Sequence, residues 1–133
     1  AFSEAAAPQA PTVASQQVDS GAAFTANLSS AGVCPTGLSA TDFTVTVNGA
    51  GSLASLSGST ANLQAGTLDA GSADETMEIS YTVTCVGNGV EKVSPASPVT
   101  TVTVKAPPAP NPSNSNSSAN ATSSASGNAT AGG

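Results

Sequence analysis

From Thr76 to Val86 the chain switches between polar and apolar side chains at every step. Met77, Ile79, Tyr81, Val83 and Cys85 fall on one side, and Thr76, Glu78, Ser80, Thr82 and Thr84 fall on the other. A period of two sustained over this length puts all five apolar groups on one face of a β-strand, whereas a helix would scatter them around its circumference. The segment therefore reads as a strand with one sealed face. The same pattern recurs at Asp42–Val47, with Phe43, Val45 and Val47 inward, and at Ala23–Leu28, with Phe24, Ala26 and Leu28 inward. Val99–Val104 repeats it with Val102 and Val104 inward.

Turn residues separate these runs. Asn88-Gly89 lies between the Thr76 strand and Val90–Val93, and Asn48-Gly49 lies between Phe43–Val47 and Ser52–Leu56. Asn-Gly suits the positive φ angles of tight turns, so both read as hairpins. Pro95 and Pro98 interrupt any ladder, which makes Val90–Val93 and Val99–Val104 either separate strands or one strand broken at an edge. The expected fold is all-β, an antiparallel β-sandwich of about seven strands over residues 12–105. Residues 1–11 are rich in alanine and proline, show no clear period and read as an N-terminal arm. Residues 106–133 collapse to Pro, Asn, Ser, Ala, Thr and Gly, a low-complexity tail.

Composition narrows the function. The chain has 133 residues, 8% of them charged, and a net charge of −6. Lys92 and Lys105 are its only basic side chains. Nucleic-acid binding needs lysine and arginine to displace counterions from phosphates, so a DNA or RNA role is set aside. Anionic membrane surfaces are set aside for the same reason. No apolar run reaches the roughly 18 residues of a membrane span. The start at Ala1 reads as the product of a cleaved secretory signal.

Cys34 and Cys85 are the only cysteines, and there is no histidine. That set is too small for a structural zinc site, which takes four nitrogen or sulfur ligands. In a secreted chain the pair reads as a disulfide, the alternative being two unrelated thiols. In this pattern the domain resembles the immunoglobulin and fibronectin type III superfolds. Cys85 sits on an inward position of a late strand beside Tyr81 and Val83, as the second cysteine of an immunoglobulin domain does. Cys34 departs from that family. It lies in Gly32-Val33-Cys34-Pro35, a loop sequence, and no tryptophan is present to pack on the bond. The expected link is a loop-to-strand staple. A superfold of this kind hosts many functions, so the resemblance implies a fold and little about activity.

The tail carries no charge and no aliphatic side chain larger than alanine from Pro107 on. It cannot bury enough apolar surface to offset an ordering cost of about 1–2 kcal/mol per residue, and so reads as a stalk. Asn-X-Ser/Thr sequons stand at Asn27, Asn116, Asn120 and Asn128, while Pro112 disqualifies Asn111. The tail is so rich in Asn, Ser and Thr that three sequons exceed chance only modestly. Asn27 is the better candidate, because it alternates with inward Phe24, Ala26 and Leu28 and so faces solvent. Tail serines and threonines near proline are candidates for O-linked sugars.

No cofactor is expected, and the candidate chemistries are few. Asp69, Asp74, Glu75 and Glu78 form the one acidic stretch. It reads as a solvated loop, with a calcium site as the alternative; its spacing is not that of an EF-hand. These acids are also the only candidates for glycoside hydrolysis, which needs a paired set. With no histidine there is no general base or triad of the usual kind, no Gly-X-Ser-X-Gly elbow exists, and a disulfide removes both thiols. The chain is not expected to be an enzyme. Lys105 reads as a solubilising edge charge rather than a lysine cross-linked to asparagine. Thr44, Thr46, Thr82 and Thr84 form an outward polar row that β-propensity explains as well as a recognition surface for ice or carbohydrate.

Together these features describe an extracellular structural protein of a cell surface or wall, a glycosylated subunit of a fibre, pilus-like filament or surface layer. The expected partner is a second copy of the chain, joined by strand addition through Pro11–Val18 or a C-terminal strand. The apolar content of that N-terminal stretch is thin for a donor strand. The alternative is a monomeric adhesin or carbohydrate-binding module on a lipid-anchored stalk, Ala131-Gly132-Gly133 being compatible with an attachment site.

Overall fold

The computed structural model describes residues 3–110. Asn116, Asn120, Asn128 and the rest of the tail beyond residue 110 lie outside the described residues. The described residues divide into two compact units, 3–69 with 73–106, and 70–72 with 107–110. In the second, the Gly71 amide donates to the Pro107 carbonyl at 2.8 Å.

The first unit is a β-sandwich. Its described residues form nine strands: β1 Thr12–Val13, β2 Gln17–Asp19, β3 Ala23–Asn27, β4 Ser39–Gly49, β5 Gly51–Ser57, β6 Thr60–Ala65, β7 Glu75–Gly87, β8 Val90–Val93 and β9 Thr100–Lys105. One sheet has the order β1-β3-β6-β5, and the other runs β2-β9-β7-β4 with β8 also on β7. All pairs are antiparallel except β2 with β9. That exception arises at Ser15, whose hydroxyl donates to the Gln17 carbonyl and accepts from the Gln17 amide. The turn carries the chain from the edge of the first sheet to the edge of the second, where it runs alongside β9.

Strand β7 is the spine. Met77, Ile79, Tyr81, Val83 and Cys85 are each at most 1% exposed and meet Val102 and Val104 of β9 and Ala26, Ala61 and Leu63 of the facing sheet. Sealing side chains of this size contributes about 1.5–3 kcal/mol each, which explains why the alternation is strictest here. Phe43, Val45 and Val47 also point inward but stay half-buried, because β4 is at a sheet edge.

The two Asn-Gly pairs have different fates. Asn88 and Gly89 take φ of 52° and 73° and close a two-residue hairpin between β7 and β8. Asn48-Gly49 is not a hairpin. β4 pairs with β7 and β5 pairs with β6, so the chain crosses between sheets at this point. Only Gly49 takes a positive φ, +88°, and a Cβ there would collide with the Thr76 carbonyl oxygen. The glycine is needed for a close approach to β7. The hairpin that follows is β5–β6, turned at Gly58-Ser59 between paired Ser57 and Thr60.

The N-terminal arm does have a period. Ala5, Pro8 and Pro11 are buried while most residues between them are exposed, a repeat of three that matches polyproline II. The Ala6 amide donates to the Val33 carbonyl at 3.0 Å, and the Thr100 hydroxyl donates to the Pro11 carbonyl at 2.6 Å. The period escapes a reading tuned to helices and strands.

Candidate interaction surfaces

The disulfide joins Cys34 to Cys85, with Cα atoms 5.6 Å apart and a sequence separation of 51. Cys85 is fully buried on β7, and Cys34 lies on the loop between β3 and β4. The staple therefore links loop to strand. Tyr81 holds the same loop from below: its hydroxyl donates to the Ser29 carbonyl at 3.1 Å and accepts from the Ser29 amide at 3.0 Å. Its ring meets Phe43 edge-on with centroids 5.8 Å apart. Beside Cys34, a polar depression of about 420 Å³ opens between this loop and Ser3, Glu4 and Ala6 of the arm.

The segment between β8 and β9 is the part least visible in the sequence. Pro95 and Pro98 stop the ladder, yet β7 loses no partner. The Val83 carbonyl accepts from the Ser94 amide at 2.9 Å, and the Val83 amide donates to the Ser94 hydroxyl at 2.8 Å. Tyr81 is matched by Ser97 in the same way, at 2.8 and 3.1 Å. Each hydroxyl in turn donates a hydrogen bond to the following proline carbonyl, at 2.9 Å. Two serines thus supply the acceptors that a regular strand takes from its backbone, satisfying groups that are costly to bury unpaired. Ser-Pro at Ser94 and again at Ser97 is the signal that points to it.

The acidic stretch is not gathered into one site. The Asp74 carboxylate accepts from the Ala106 amide at 2.9 Å and sits 3.4 Å from the Lys105 ammonium. The Ala106 amide, reinforced by the positive charge of Lys105, holds the Asp74 carboxyl below its ordinary value against a smaller opposing effect of desolvation. Glu78 accepts from the Thr76 hydroxyl at 2.6 Å. Among the described residues, Asp69, Asp74, Glu75 and Glu78 included, no three His, Cys, Asp or Glu side chains form a group that could hold a metal ion. Lys105 faces Asp74 rather than an asparagine.

Both outer faces are rich in hydroxyls and amides. On the second sheet Thr44 stands opposite Thr82, Thr46 opposite Ser80 and Asp42 opposite Thr84. On the first, Asn27 is exposed at the end of β3 between Thr12 and Thr60. Asn62 nearby donates to the Ser55 hydroxyl at 3.0 Å. The structure thus places Asn27 outward, as the alternation requires.

The edges differ in length. β1 and β2 are short and already occupy edges of the chain's own sheets, so Pro11–Val18 is used internally. β4 is the long edge, with β7 on one side and no paired strand on the other among the described residues. A groove of about 310 Å³ beside it is lined by Thr41, Asp42, Phe43, Leu56 and Gly58. No helix of the described residues is long and apolar enough to cross a membrane. Comparison of the chain with protein-family models, curated proteins and solved structures gives no match.

Proposed function

We propose that the chain is a non-catalytic, extracellular structural protein of a cell surface or wall, glycosylated and assembled with its own copies into a fibre or layer. The observation that carries this reading is the character of the two outer faces, dominated by serine, threonine, asparagine and glutamine on a stapled scaffold. Such surfaces suit hydrated packing among neighbours and sugars, and the 8% charged content fits them. A disulfide is compatible with an oxidising compartment. The exposed sequon at Asn27 supplies a site for a glycan that would project from the first sheet.

The finer fold reading is an immunoglobulin-like sandwich. The order β1-β3-β6-β5 against β4-β7-β8/β9 corresponds to the ABED and CFG sheets of constant-type domains. The disulfide departs from that pattern, since Cys34 lies beyond β3 rather than on it. Tyr81, which bonds to Ser29, is also not the corner tyrosine of that family.

Electron microscopy of native material tests the function. Regular fibres or sheets are expected, and monodisperse single particles would overturn the reading. Intact mass before and after glycosidase treatment tests the sugars: the expected native mass exceeds the 12.6 kDa of the polypeptide, and equality would remove the glycan.

A further inference from the structure

The hydrogen-bonding parity of β7 fixes what the free edge of β4 presents. Tyr81 and Val83 direct their N–H and C=O groups toward Ser97 and Ser94. In an antiparallel ladder the intervening residues point the other way, so Glu78, Ser80, Thr82 and Thr84 face β4. Their partners are Asn48, Thr46, Thr44 and Asp42. The N–H and C=O groups of Phe43, Val45 and Val47 therefore lie along the open side, spaced to accept another strand.

Other exposed edges are blunted in the usual ways. β8 carries Lys92, ion-paired with Glu4, and is followed by Pro95. β5 has an irregular register between Leu53 and Ser55. β4 has its own shift between Ala40 and Asp42, but from Phe43 to Asn48 it contains no charge, no proline and no break.

We propose that this edge pairs with the same edge of a second copy, antiparallel about a two-fold axis through Val45. The occupant is argued from self-complementarity. A centre at Val45 sets Phe43 against Val47 twice and Val45 against itself, using all three outward-facing backbone positions of each copy. A centre at Thr44 would bring the irregular Thr41 region into the pairing, and a centre at Thr46 would run it into Gly49 at the crossover. The Val45 centre also keeps the two Asp42 carboxylates apart and sets each against the Asn48 amide of the other copy, a donor for an acceptor. The half-buried Phe43 and Val47 gain apolar cover. Each copy contributes the same patch, as an isologous dimer requires.

The inference deepens the self-association in the proposed function, and it is separable from the fibre. A two-fold contact closes on itself, so a fibre would need a second, different contact between dimers. Dimers in material without fibres would leave the β4 pairing standing and remove the fibre. Fibres built from monomeric wild-type protein would do the reverse.

The test uses the full native chain in sedimentation equilibrium up to about 1 mM, the weak end of specific association. The expected species has twice the chain mass. The paired variant Thr44→Lys/Thr46→Lys adds exposed charge that the register brings together across the axis, and should raise the dissociation constant at least tenfold. Mixing it with Thr44→Glu/Thr46→Glu should restore a heterodimer. Register is read by cysteine pairing: Thr44→Cys mixed with Thr46→Cys should cross-link, because these residues oppose one another at a narrow non-hydrogen-bonded position, whereas Thr44→Cys alone should not. A wild-type monomer throughout the range, a lysine variant that dimerises as tightly as wild type, or equal cross-linking by Thr44→Cys alone would each overturn the proposal.

Discussion

The two flanks of β7 solve the same problem in opposite ways. On one side a broken chain is made to behave as a continuous strand: β8, the two Ser-Pro steps and β9 cover the ladder, and the arm and β2 cover what lies beyond. On the other side β4 is long and regular and, among the described residues, ends the sheet. Regularity is what makes β4 adhesive, because an uninterrupted strand repeats its hydrogen-bonding groups toward solvent as faithfully as toward its neighbour. Irregularity protects the other flank. Prolines and side-chain acceptors satisfy β7 while offering nothing that a further strand can extend.

Breaking the link between β7 and the Cys34 loop should cost the most. Removing the staple with Cys34→Ala/Cys85→Ala opens a loop of 51 residues, expected to lower unfolding free energy by about 4 kcal/mol in the chain-entropy account. Chemical denaturation followed by tyrosine fluorescence measures it. A loss below about 1 kcal/mol would show that packing alone holds the Cys34 loop.

Ser94→Ala and Ser97→Ala come next. Each leaves a buried β7 amide without its acceptor, at about 1–3 kcal/mol. Hydrogen exchange should speed up at Val83 in the first variant and at Tyr81 in the second. Unchanged exchange would mean that water replaces the hydroxyls freely. Tyr81→Phe removes the two bonds to Ser29, an expected loss of about 1–2 kcal/mol, again by denaturation.

The open flank should respond differently. Thr44→Lys/Thr46→Lys alters exposed outward positions, so monomer stability should stay within about 0.5 kcal/mol. A larger loss would mean that the threonine row stabilises the monomer and that β4 is not a bare edge.

The smallest effect belongs to Asp74. Its carboxyl is held below the ordinary value, so ionisation is favoured in the folded state. The stabilisation is present above the unfolded carboxylate pKa, about 3.9. It is lost as pH falls through the lower folded value. Asp74→Asn should flatten that part of an acid-unfolding curve by removing the small stabilisation present at neutral pH, while leaving the most acidic region unchanged. An unaltered curve would mean that the Ala106 contact does not persist in solution.

Much of this architecture is written in local pattern. The alternation from Met77 to Cys85 identified the buried spine because one side of a strand meets water and the other does not, whatever the neighbouring strands are. Asn88-Gly89 was legible for a similar reason, since its positive φ angles belong to the turn itself. The same dipeptide at Asn48-Gly49 misled, because the need for a glycine there comes from the Thr76 carbonyl, a contact distant in sequence. The outward aspect of Asn27 was readable from alternation with Phe24, Ala26 and Leu28; the dispersal of the acidic stretch was not, because Asp74 turns to Lys105 and the Ala106 amide only once β7 and β9 are paired.

By itself, then, the sequence determined that the apolar rows of β7 and β9 are sealed from water, that β-structure is required, and that the two cysteines read as a staple. Those properties follow from the alternation of neighbours and from an unambiguous cysteine pair. Tertiary structure decided which strands are partners, that Ser15 sends the chain to the second sheet, that serines replace backbone acceptors along β7, and that β4 lies at a sheet edge among the described residues. These are pairings between residues far apart along the chain, and hydrophobic alternation sets a strand's faces without naming its neighbours.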